Sequence, residues 1–253
     1  MSNTSRPKRV LVAATSALLL ASLALASSSA PREKRHVLVK KEADGTVSFK
    51  NVARNTGYTS EAEVHAQITD PQRRAEIRAE HYGLVVNQEY SGGSLNGKVE
   101  IGDSLVDFQV TGAGALEGFK YTITMPAKFE VHSAPNHPGA EIDTFETNMN
   151  RIEGQTSGGD SVFEYVRLVG GTANGYPSPG QMTLISKGDQ VEVDSFFKVG
   201  FRLEFKGAAG GPLEGISDSV EGSVTMRAHE ADSSKTSKPV QTTRGRDSAV
   251  RQQ

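Results

Sequence analysis

VEVDSFFKVGFRLEF, residues 191–205, alternates along nearly its whole length. Its odd positions read Val191, Val193, Ser195, Phe197, Val199, Phe201, Leu203 and Phe205. Glu192, Asp194, Lys198, Arg202 and Glu204 occupy even positions. A period of two with one apolar and one charged face is the pattern of a half-buried β-strand. Fifteen straight residues exceed common strand lengths, so Gly200 is expected to mark a bend or bulge.

The same period runs outward on both sides. FKYTITM (119–125) alternates through Phe119, Tyr121, Ile123 and Met125, and VEGSVTMRA (220–228) through Val220, Val224, Met226 and Ala228. Further strands are expected at 84–90, 98–101, 104–110, 128–132, 161–169 and 182–186. Between them a Gly-x-[Leu/Ala]-[Asn/Glu]-Gly element recurs four times, with glycines at 93/97, 114/118, 171/175 and 211/215. Each copy follows a strand pattern and none opens onto a helix, as a phosphate-cradling loop would. Glycine and asparagine tolerate positive φ, so these are read as tight strand connections. The fold class is therefore all-β: a single antiparallel β-sandwich or closed β-barrel of about nine or ten strands over 84–230. A domain of ~150 residues buries about two-thirds of its unfolded surface, enough for a core without staples.

The flanks read differently. Arg6, Lys8 and Arg9 precede an apolar run (10–26) and small-residue cleavage positions after Ala26 or Ala30, which is the grammar of a secretory signal peptide over 1–30. Residues 31–59, with REKRHVLVKK at 32–41, read as a charged linker. Residues 60–83 read as a short helical segment. Ser60 and Glu63 form a capping-box pattern, Asp70-Pro71 a second helix start, and Gly83 a C-cap. Residues 231–253 have almost no apolar content and read as a disordered tail.

Composition removes several function classes. Cleavage would take three basic residues and no acid from 28 Lys+Arg against 30 Asp+Glu, leaving a net charge of −5. No nucleic-acid partner is expected of such a chain. It has no cysteine, hence no thiol nucleophile and no disulfide, although an exported protein is free to form them. There is no Trp and there are six Tyr, too few for the aromatic girdles of an outer-membrane barrel. A secreted or periplasmic domain that does not span the membrane after signal removal is the expectation.

No catalytic spacing stands out. Gly-x-Ser-x-Gly around Ser94 fails because Asn96 occupies the second glycine position, and the histidines are too scattered to propose a triad. The densest chemical cluster is VHSAPNHPGAEID (131–143), where His132, His137, Glu141 and Asp143 flank a Pro/Gly turn. Imidazoles with carboxylates are donors for a divalent metal such as zinc, the one cofactor suggested; otherwise none is expected. Tyr176, in a two-proline turn, is a candidate ligand platform, and Phe197 and Phe201 could line an apolar cavity. The reading favoured is a non-enzymatic binding or interaction module for an unknown small molecule or protein. Its alternatives are a metal-dependent small β-barrel enzyme using His132, His137 and Glu141, or a structural subunit assembling through strand edges.

Overall fold

The structure is a computed structural model and describes residues 37–44, 46–67, 73–157 and 161–230. The expected signal peptide, the tail and the Asp70-Pro71 helix start lie outside these residues. In chain order the elements are β1 (Val37–Lys40), α1 (Phe49–Asn55), β2 (Thr56–Ser60), β3 (Val64–Gln67), β4 (Arg73–Gly92), β5 (Gly97–Gly114) and β6 (Lys120–Ser133). They continue with β7 (Ile142–Ser157), β8 (Phe163–Gly170), a 3-10 turn (Thr172–Asn174), β9 (Pro179–Lys187), β10 (Gln190–Gly207) and β11 (Ser217–Glu230). The all-β expectation holds, with eleven strands in one sheet among the described residues.

The strand first read from the sequence, β10, is paired on both edges. Its first half lies between β9 and β1, and its second half between β8 and β11. From β11 the sheet runs through β2, β4, β5 and β6 to β7, which meets β9 with its first half and β8 with its second. The two ends of the sheet thus meet on β10. It is not an evenly closed barrel. β2 and β4 share only the pairs Tyr58↔His81 and Thr59↔Glu80, whereas β4 and β5 pair along almost their whole length.

Every odd residue of β10 from Val191 to Phe205 is buried. Phe197, Phe201, Leu203 and Phe205 join Phe108, Met125, Phe129, Met149 and Val166 in the main core. Burying each such side chain stabilises by roughly 1.5–3 kcal/mol. Gly200 does not interrupt the strand. A second apolar cluster lies under α1, where Phe49 and Val52 pack with Val37, Val39, Phe145, Met182, Leu184, Val191 and Val193.

The four glycine repeats share one turn hydrogen bond but not one backbone geometry. In each, the fourth residue donates its backbone N–H to the first glycine's carbonyl: Asn96 to Gly93 (3.2 Å), Glu117 to Gly114 (3.0 Å), Asn174 to Gly171 (3.0 Å) and Glu214 to Gly211 (3.1 Å). Positive φ falls on the fifth residue, Gly118, Gly175 or Gly215, in three copies and on the fourth, Asn96 (φ 62°), in the other, where Gly97 already begins β5. Asn is the side chain best suited to that region after glycine.

Two expectations are corrected. Residues 60–67 and 73–83 are not helical: the short helix that precedes the long strands is α1, and these residues form the end of β2, β3 and the start of β4. Ala75, Ile77, Ala79 and His81 are buried in alternation with Arg74, Glu76, Arg78 and Glu80, a period of two hidden by alanines and by charges at helical spacing. Nor are residues 37–59 a solvated linker. Val37 and Val39 are 0% and 1% exposed because β1 pairs with β10, while Leu38 between them is 51% exposed. Val39→Ala should therefore cost about 2 kcal/mol and Leu38→Ala under about 0.5 kcal/mol, although leucine is the larger side chain. Chemical denaturation of the two variants checks this; equal, negligible losses would return β1 to the linker reading.

Candidate functional site

A cleft of about 590 Å³ opens beside α1. Its walls are the β1–α1 connection and the start of α1 (Lys41 to Lys50), Glu89 on β4, Lys98 on β5, the 136–140 loop, and Leu184, Ser186 and Val191 on β9 and β10. Phe49, Val47, Leu184 and Val191 give it an apolar floor continuous with the cluster under α1. Polar groups are fixed around that floor. Lys98 Nζ is 2.9 Å from Glu89 Oε1 and 4.3 Å from the centre of the Phe49 ring, tying α1 to β5 by charge and by the ring's negative face. Lys41 Nζ donates to Ser186 Oγ and, at 3.0 Å, to the Gly188 carbonyl. His137 donates its backbone N–H to Asp143 Oδ2 at 2.7 Å, with its ring Nδ1 3.3 Å from Oδ1.

Beside Lys98 of the rim stands a half-buried carboxyl. Glu100 follows Lys98 by two residues on β5, hence on the same face, and is in register with Glu89. Its Oε1 is buried without a hydrogen bond. Burial first, and the negative charge of Glu89 second, push the Glu100 carboxyl up to about 7, against the opposing pull of Lys98. Deeper lies a belt of buried polar side chains. Tyr58 donates to Ser195 Oγ at 3.1 Å, and His81 Nε2 shares a 2.7 Å hydrogen bond with Ser104 Oγ. Burial pushes the Tyr58 hydroxyl up to about 12 and the His81 imidazole down to about 4, so both stay neutral near neutrality.

The four residues suggested as metal ligands are not gathered. His132 is buried on the outer face of β6 against Ser94 and Glu130, whereas His137 pairs with Asp143 at the cleft with its side chain 80% exposed. Glu141 is exposed and contributes its carbonyl to Ser186 N–H. Among the described residues no group of three or more His, Asp or Glu side chains could hold a metal ion. Phe197 and Phe201 are core residues beside a space of about 40 Å³, room for about one water and not for a lipid. Tyr176 lies against Gly200, and its hydroxyl donates to Glu221 at 3.1 Å, so it packs over the sheet and is not a free platform. The cleft itself was not legible in the sequence, because Phe49 and Lys98 are far apart along the chain and meet only through α1.

Compared with known protein families, with characterised proteins and with solved structures, the chain shows no match. No helix among the described residues is long and apolar enough to cross a membrane.

The raised Glu100 carboxyl has a stability consequence. Its folded value lies above the unfolded one of about 4.5, so its favourable contribution is complete below that value and lost as pH rises through about 7. Glu100→Gln should then stabilise the protein by on the order of 2–3 kcal/mol at about pH 8 and leave it unchanged at about pH 4. Thermal unfolding at the two pH values checks this, and a pH-independent difference would contradict it.

Proposed function

We propose that this protein is an exported β-domain that binds a small amphipathic molecule in the cleft between α1 and the 136–140 loop. The observation that carries the reading is the cleft's size with its lining. About 590 Å³ lies within the range of small-molecule sites. An apolar floor of Phe49, Val47, Leu184 and Val191 is ringed by polar groups already held in place, Lys98 by Glu89 and Lys41 by Ser186. Such a site accepts an apolar body on its floor and fixes polar substituents at its rim, with little to reorganise on binding. The ligand's own charge is not set by the lining, since Lys41, Lys50, Lys98 and His137 face Glu42, Glu89 and Asp143.

Export rests on the amino-terminal pattern of basic residues, apolar run and small-residue cleavage positions. Binding at the cleft requires no catalytic group there.

Native mass spectrometry of the protein purified from its source, without chelators or affinity nickel, is the direct test. One organic molecule per chain is expected, and it should be lost in Ala140→Trp, which fills the cleft from an exposed loop position. A bare mass, or a ligand retained in that variant, would overturn the assignment.

A further inference from the structure

We infer that Ser94 is a nucleophile for acyl transfer, activated by His132, with Glu130 positioning the imidazole. The three residues lie on the outer face of the sheet and none of them lines the cleft, so this inference goes beyond the binding reading and does not depend on it.

The geometry is that of a serine paired with a base whose tautomer is fixed. Ser94 Oγ is 2.8 Å from His132 Nδ1, and the Ser94 backbone N–H also donates to Nδ1 at 3.0 Å. A nitrogen that accepts from a backbone amide carries no proton of its own, so the single Nδ1 lone pair is shared between that amide and the Ser94 hydroxyl, which is placed to pass it a proton. The proton of the neutral ring is then on Nε2, which is 2.8 Å from Glu130 Oε1. Glu130 is held in turn: Asn150 Nδ2 donates to the same oxygen at 2.8 Å, and Arg151 Nε lies 3.9 Å from Oε2. Nucleophile, base and orienting carboxylate within hydrogen-bond reach is the arrangement that activates serine on unrelated folds. Here Ser94 bonds Nδ1 and the carboxylate Nε2, the reverse of the common assignment of the two nitrogens.

Exposure follows the same logic. The His132 side chain is 9% exposed, while Ser94 is open to solvent at the tip of the β4–β5 turn. That turn can close on the imidazole only because residue 93 is glycine: a Cβ there would meet Val99 Cγ2 at 2.6 Å and the His132 ring at 3.1 Å, and its φ is +82°. Among the four copies of the turn, only this one has serine at the second position; the others carry Ala115, Thr172 and Pro212. Hence the motif that recurs for structural reasons carries chemistry in one copy.

The reaction class is ester cleavage through an acyl-serine, on acyl groups presented at a surface. As Ser94 Oγ bonds to the acyl carbon, its proton passes to His132 Nδ1. The bond from that carbon to the alcohol oxygen then breaks, and the departing alcohol takes the proton from Nδ1. Water repeats the sequence on the acyl-serine, returning Ser94 and releasing the carboxylic acid. Glu130, 2.8 Å from Nε2, stabilises the transient imidazolium.

The full-length protein, treated with a fluorophosphonate probe and digested, should carry the adduct on the peptide containing Ser94. Ser94→Ala should abolish the adduct. His132→Gln should slow labelling about 100-fold, since a positioned general base contributes on the order of 10²–10⁴. Glu130→Gln should slow it less and change its pH dependence, a readout that loss of packing alone leaves in place. Because a variant at buried His132 could unfold, parent protein denatured in urea is labelled alongside; labelling must be lost there too. No adduct on Ser94, or equal labelling of folded parent, His132→Gln and denatured chain, would overturn the proposal.

Discussion

Pairing on both edges of β10 is the constraint on which the rest of the molecule depends. One continuous strand of alternating apolar and charged residues takes β9 and β8 on one side and β1 and β11 on the other. Because its odd residues are committed to one face, a register slip of a single residue would expose three phenylalanines and bury Lys198 and Arg202. That specificity fixes the neighbours. β8 and β9 flank the 3-10 turn and β11 comes from beyond the last glycine loop, and between them they bring the two ends of the sheet together. β1 is then pinned along the first half of β10, which carries α1 across the second apolar cluster and creates the cleft beside it.

Much of the architecture was legible because its strands are amphipathic and its turns repeat. β10, β11 and the hairpin loops follow from alternation and from glycine placement. What escaped were elements whose local signals point elsewhere. Alanines at 75 and 79 among alternating Arg and Glu suit a helix as well as a strand, and only pairing with β5 decides between them. The strands expected at 98–101 and 104–110 are one strand, as are those at 119–125 and 128–132. Gly102 continues β5 because the Phe129 ring crosses where a Cβ would stand, and Pro126 continues β6 just before its ladder with β7 begins, where its missing N–H costs little. The functional clusters were less legible still. His132 looked like half of a metal site with His137, yet its partners are Ser94 and Glu130, one of them 38 residues away and brought close by the β4–β5 hairpin. Spacing along the chain carries no trace of that contact.

The interior also shows how polar groups are divided between stability and chemistry. Tyr58 and Ser195 satisfy one another, as do His81 and Ser104, and both titratable members are held neutral by burial. His81 favours folding above about pH 6.5 and loses that contribution as pH falls through about 4. Glu100 works in the opposite direction, losing its contribution as pH rises through about 7. Together they place the most favourable interior charge state in mildly acidic conditions. The side chains assigned to chemistry, Ser94 and those at the cleft rim, stand outside this neutral belt and are accessible to solvent or ligand.

The meeting of the sheet's ends on β10 is the claim on which the cleft and both cores rest, and a chain without cysteine allows it to be tested by a single cross-link. Arg167 on β8 and Glu204 on β10 are register partners whose side chains, one exposed and one half-buried, meet at 3.6 Å. Replaced together by cysteine, they should oxidise to an intramolecular disulfide while the far-ultraviolet circular dichroism stays that of the parent, since register partners lie within the ~4.4–6.8 Å Cα separation a disulfide spans. The pair Lys128 and Glu153, on β6 and β7, provides the control for an ordinary hairpin-type neighbour. Closure of the control with the 167/204 pair remaining reduced would contradict the account, because the sheet would then be open between β8 and β10.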